Sequence, residues 1–312
     1  MKCSFFIASC ATDGGLRRYE WQDGQVTLKE HIALDRPMYL AKDEECVYAL
    51  LRCPFPDSPN SALVQIRNGQ VQWQIDTKGV VAAHLCVEGQ VVYCANYLSG
   101  NIVRLPDGKT VTHEGKSIHP VRQTCPHTHY VCLTPDGQYV LAVDLGMDCI
   151  VTYDRDLNEV SRSFVPVGHG ARHLAYHNGY YYCANELAST VSVFAYEDGR
   201  LTLLGTYPAL PADYQGESTI AAIRVKDLYV YVSNRGHDSI TVFRIVGERL
   251  QYVAAYPCGG RSPRDFLIIQ DILICTNELS DNVTFFKLCK DMLCKLDVEL
   301  QVKTPMCVIE EK

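Results

Sequence analysis

The chain has 312 residues, 47% of them hydrophobic, which is ample for a folded core. Its 36 acidic residues outnumber 29 basic ones, for a net charge of −7, and no basic stripe interrupts that balance. This argues against a nucleic-acid partner, and no apolar run is long enough to span a membrane as a helix.

In chain order, residues 5–9 read as the first strand. The stretch from Lys2 to Cys10 also has the outline of a lipoprotein leader. A single basic residue before a minimal apolar run favours the strand. Residues 37–40 form a short strand and residues 46–51 a second, before a proline-rich loop at 53–59. Residues 83–86 and 91–95 repeat the pair, and the second now runs into Asn96-Tyr97-Leu98-Ser99-Gly100-Asn101-Ile102. The same order follows at 128–131 and 139–143, then Asp144-Leu145-Gly146-Met147-Asp148-Cys149-Ile150. It recurs at 172–175 and 180–184, then Asn185-Glu186-Leu187-Ala188-Ser189-Thr190-Val191. Two more copies carry Asn234-Arg235-Gly236-His237-Asp238-Ser239-Ile240 and Asn277-Glu278-Leu279-Ser280-Asp281-Asn282-Val283. A last short strand, residues 305–308, stands alone.

β-Branched and aromatic runs bounded by Asn, Asp, Gly and Ser read as strand, turn, strand. Units of about four short strands repeating every 40–50 residues mark propeller blades. The expectation is all-β: a seven-bladed β-propeller filling one domain, residues 1–312. The first unit lacks an inner strand, so residues 305–308 are expected to join the N-terminal strands and close the ring. Glu88-Gly89, Asp136-Gly137 and Asn178-Gly179, with Asp23-Gly24, Asn68-Gly69 and Asp198-Gly199, read as hairpin turns. Fifteen cysteines without a Cys-x-x-Cys pair read as free thiols in a reducing, cytoplasmic setting, with no zinc site.

Polar residues on inner strands stand out against apolar equivalents such as Met38, Ala222 and Met306. They are His127 and His129, Arg172 and His173, and Arg264 with Asp265. The slot after the recurrent Asn holds Glu186, Arg235 and Glu278. If the blades superimpose, these meet at one channel mouth, a default active-site candidate. The repeated Asn and Asp read as turn chemistry, and His84 and His173 as structural. Glu186 and Glu278 read equally well as salt-bridge partners of arginines. His127 and His129 could pair on a metal, but no third ligand is evident.

The runs His127-Thr128-His129-Tyr130-Val131, Gly170-Ala171-Arg172-His173, Ala184-Asn185-Glu186-Leu187, Ser233-Asn234-Arg235-Gly236-His237-Asp238 and Ser262-Pro263-Arg264-Asp265-Phe266 resemble the lactonase-type seven-bladed propellers. That family includes propeller-type 6-phosphogluconolactonases and is related to the carboxymuconate lactonising enzymes. The resemblance implies a metal-free site of His129, Arg172, Glu186 and Arg235; His127, Arg264 and Glu278, from their expected place at the same mouth, are the candidates for binding substrate. Ala171 stands where the family usually has proline, and the first two blades match poorly. The expected partner is a small, anionic sugar lactone, 6-phosphogluconolactone foremost, with no cofactor and neither nucleic acid nor membrane. Two alternatives stand beside hydrolysis: a muconate-type cycloisomerase and a non-catalytic binding scaffold.

Overall fold

The computed structural model describes residues 2–311. Met1 and Lys312, the ends of the expected domain, lie outside the described residues. The described chain is all strand and turn, twenty-eight strands in seven four-stranded antiparallel sheets. Six sheets, blades 2 to 7, are each built from four consecutive strands, inner to outer. Blade 1 is composite. Its inner strand is Pro305–Glu310, paired with Lys2–Ser9, as expected for ring closure. Among the described residues, no helix is long and apolar enough to cross a membrane.

The core is divided among the gaps between blades. Seven apolar clusters fill seven interfaces. Phe5, Tyr19 and Trp21 of blade 1 meet Ile274 and Phe285 of blade 7, and Tyr182 and Val193 of blade 5 meet Ile223 and Phe243 of blade 6. Second and third strands are therefore largely apolar on both faces, as in Val140–Asp144 and Cys149–Tyr153, though the third strand of blade 1, Gly15–Gln22, carries Arg17, Arg18 and Glu20. The outer strands alternate with solvent, as Met292–Gln301 does. This distribution explains why the middle strands carried the clearest sequence signal.

The recurrent phrase forms the turn between second and third strands. Its first and sixth residues pair across the hairpin in five blades: Asn96 with Asn101, Asp144 with Cys149, Asn185 with Thr190, Asn234 with Ser239, Asn277 with Asn282. The fifth residue is left-handed in every copy: Gly100, Asp148, Ser189, Asp238 and Asp281, with φ between 49° and 60°. Gly, Asp and Ser suit such a position. Four of the six hairpin turns have both loop residues at positive φ, as at Asn178-Gly179, whereas at Glu88-Gly89 and Asp136-Gly137 only the glycine does.

The expected role of the leading Asn needs amending. Asp144 does accept backbone N–H groups, from His127 at 2.8 Å and Met147 at 3.1 Å. Three of the asparagines instead donate to hydroxyls of the next strand: Asn185 to Thr190 and Ser192, Asn234 to Ser239 and Thr241, Asn277 to Thr284. Buried amides need partners; the third strand supplies acceptors for these amide nitrogens, while the side-chain oxygens of Asn185 and Asn234 have no partner among the described residues.

Candidate active site at the channel mouth

Blades 2 to 7 each carry an inner strand whose pairing slips near its start. Met38, Ala83, His129, Arg172 and Arg264 all sit at this slip. A β-bulge bends the strand and re-aims its side chains. Neighbours that would otherwise alternate then share the channel. Met38 with Tyr39, Arg172 with His173, and Arg264 with Asp265 line one central cavity of about 20 Å3, beside His129. That is room for about one water molecule.

Glu186 is the hub of the mouth. It directly follows the strand Tyr180–Asn185 and is fixed by its own backbone, donating to the Gly170 carbonyl at 2.7 Å. Its Oε2 accepts Arg172 Nε at 2.8 Å and lies 3.1 Å from Arg235 Nη2. Its Oε1 accepts Arg122 Nη2 at 2.7 Å. Burial alone would raise its pKa, but Arg235 and Arg172, with His129 and Arg122, hold it well below the usual carboxylate range. Glu186 is therefore an anchor for guanidinium groups and a poor proton acceptor.

Arg172 is buried, and its Nη1 also donates to the Ala221 carbonyl. Burial, reinforced by Arg264, lowers its pKa to about 9, so it stays charged at neutral pH. Arg235 ends the strand Tyr229–Arg235 and donates to the Ile220 carbonyl at 3.2 Å. Its Nε is buried without an acceptor. A buried, unspent donor of this kind costs stability.

His129 is buried, with its ring 5.2 Å from His173 and 5.5 Å from Tyr97. Burial first, then Arg172, holds its pKa well below 6.5, so it is neutral at pH 7. Its Nδ1 has no partner. Arg264 lines the same cavity, and its guanidinium lies 3.7 Å from Glu278. His127 is engaged elsewhere. Its Nδ1–H donates to the Tyr97 carbonyl at 3.0 Å, and its ring stacks on Tyr97 at 4.4 Å. Among the described residues, no group of three or more His, Cys, Asp or Glu side chains is placed to hold a metal.

The structure thus joins Arg172, Glu186 and Arg235 by direct bonds and sets His129 within electrostatic reach of Arg172 and Glu186. Two participants escaped the sequence reading. Tyr97 follows Asn96 in the very slot that holds Glu186 and Arg235, so the phrase itself was the signal. Arg122 lies on the longest connection between blades, residues 113–127, whose length was the only hint. The proline-rich loop 53–59 fills the place of the phrase in blade 2, on this same face.

Beneath the mouth, Tyr39, His84, Tyr130 and His173 pack ring against ring, with neighbouring centroids 4.0–5.5 Å apart. Burial keeps His84 and His173 neutral. Beside them, Arg224 bonds Asp265 at 2.7 Å, and Asp265 also accepts the Val308 amide at 3.2 Å. Two larger grooves, of about 390 and 950 Å3, open at the turn containing Asp43 and Cys46 and include none of the mouth residues.

Comparison with known proteins agrees with this architecture. The family model for the seven-bladed β-propeller lactonases matches residues 5–310. An uncharacterised Staphylococcus aureus protein is 40% identical over 217 residues, 64% of this chain and 61% of that protein. The chain therefore matches about three fifths of this relative's length. A Bacteroides fragilis structure named provisionally as a 6-phosphogluconolactonase superposes with TM-score 0.91 at 23% identity, over 100% of this chain and 98% of that one. A periplasmic gluconolactonase from Pseudomonas aeruginosa gives 0.88, also at 23% identity, over 99% of each chain. At these identities the superpositions show the fold.

Proposed function

The chain belongs to the lactonase family of seven-bladed β-propellers, and from that premise we propose that it hydrolyses an anionic sugar lactone, with 6-phosphogluconolactone the leading substrate. The observation that carries this reading is a charge imbalance around a neutral histidine. Arg122, Arg172, Arg235 and Arg264 face only Glu186 and Glu278 as bonded carboxylates. A phosphate monoester carries between one and two negative charges at neutral pH, which fits the surplus.

In this reading His129 takes a proton from water as the water oxygen attacks the lactone carbonyl carbon. The carbonyl oxygen gains negative charge and is met by Arg235 Nε and the Arg172 guanidinium. The tetrahedral centre collapses, the bond to the ring oxygen breaks, and that oxygen takes the proton back from His129. Glu186 holds both guanidinium groups in place and moves no proton. No step in this sequence needs a metal.

The test is a panel of phosphorylated, carboxylated and neutral lactones, each measured against its spontaneous opening in buffer. Hydrolysis of the phosphorylated member, lost in Arg172→Ala, supports the reading. Turnover confined to isomerisation of a muconate-type lactone would replace it with a cycloisomerase. No turnover of any lactone would leave a binding scaffold.

A further inference from the structure

Three guanidinium groups converge on Glu186, and they are not equivalent. The side chain of Arg172 is 2% exposed and that of Arg235 15%, whereas that of Arg122 is 37% exposed. Arg172 and Arg235 come from strands and share Oε2. Arg122 comes from the connection 113–127 and holds Oε1 alone among them. A solute entering the mouth reaches Arg122 before the other two.

The connection is braced, which fixes where Arg122 stands. His113 Nδ1 lies 2.7 Å from Asp144. Ser117 and Gln123 both donate to Asp148, at 2.5 and 2.7 Å. Asp148 in turn accepts the Gly168 and Gly170 amides. Arg122 is further oriented by Tyr97, whose hydroxyl accepts its Nε at 3.2 Å and its Nη2 at 3.0 Å. Among the described residues its Nη1 has no acceptor. A planar guanidinium held at one edge, with another edge unspent, suits a second oxyanion.

Resting on the lactonase reading above, we propose that Arg122, positioned by Tyr97, is the specificity residue that binds the anionic substituent of the lactone. A phosphate and a carboxylate present the same oxygen fork, so either could occupy it, and the assay separates them. Steady-state kinetics of Arg122→Ala on phosphorylated, carboxylated and neutral lactones should show KM rising about 10- to 100-fold for the anionic class recognised, from loss of one charge-assisted bond. The neutral lactone should lose at least about tenfold less, and kcat should change little. Tyr97→Phe, which keeps the ring against His127, should raise the same KM by a smaller factor.

Equal loss on charged and neutral lactones, or none on charged ones, overturns the proposal. A binding measurement keeps it testable if the wild type opens no lactone. Titration of Arg122→Ala with 6-phosphogluconate and gluconate should show weaker binding of the phosphorylated ligand alone where Arg122 takes the phosphate, and of both ligands where it takes the carboxylate. Unchanged binding there overturns the role of Arg122, while absent turnover in the wild type overturns only the hydrolase reading.

Discussion

The channel mouth and the layer just beneath it are built from the same bulged strands, one residue apart, yet they are satisfied differently. At the mouth, His129, Arg172 and Arg264 come with Glu186 and Arg235, and donors are left over: Arg235 Nε has no acceptor. Below, Tyr39, His84, Tyr130 and His173 pack ring on ring and Arg224 with Asp265 closes an ion pair, so the charged groups are paired although both ring nitrogens of His173 lack partners among the described residues. Unspent hydrogen-bonding capacity next to a neutral histidine is what chemistry requires. Packed rings and a paired charge are what a scaffold requires. Exchanging one layer's residues should therefore cost activity, and the other's stability.

The sharpest way to break that comparison is Arg235→Ala. Removing the unspent donor should lower kcat on the phosphorylated lactone by about 100- to 1,000-fold, with a small change in the denaturation midpoint. Near-normal kcat would show the orphaned Nε to be a packing defect. The converse is Asp265→Ala below. It strands Arg224 and the Val308 amide and should cost about 3 kcal/mol, read from urea unfolding, while kcat per folded molecule stays within a few-fold. A large kcat loss at intact stability would erase the distinction between layers.

A smaller effect lies in the pH dependence. Burial holds His129, His84 and His173 below 6.5, so the unfolded chain takes up protons first as pH falls. Stability from these groups is full above about pH 6.5 and is lost progressively below it. Glu186, depressed below 4.5, adds stability that is lost only at more acidic pH. For activity, kcat/KM should stay flat as pH falls through 6.5, because His129 in the free protein remains neutral. An acid limb at or above 6.5 would sink His129 as a buried base. Smallest of all, prior treatment with a chelator should leave the rate unchanged, since no proposed step runs through a metal.

The sequence made the ring legible because the middle strands are buried on both faces, and because each phrase must turn left-handed at one residue. It also singled out His129 and Arg172, polar where other blades hold Met38 or Met306, and Glu186 and Arg235, in the variable slot of the phrase. Tyr39 and Tyr130 were hidden by the bulge, whereas His84 and His173 already read as structural. Strict alternation sends the residue after a channel residue away from the channel, and the slipped register cancels that. Arg122 was hidden for another reason. It belongs to no repeat, and only the tethers to Asp144 and Asp148 bring its segment over the mouth.

The most direct test compares wild type with His129→Ala on 6-phosphogluconolactone, with spontaneous opening subtracted. We expect hydrolysis well above background in the wild type and a kcat loss of about 100- to 10,000-fold in the variant, with unfolding little changed. Equal rates in the two proteins would contradict the assignment of chemistry to the mouth.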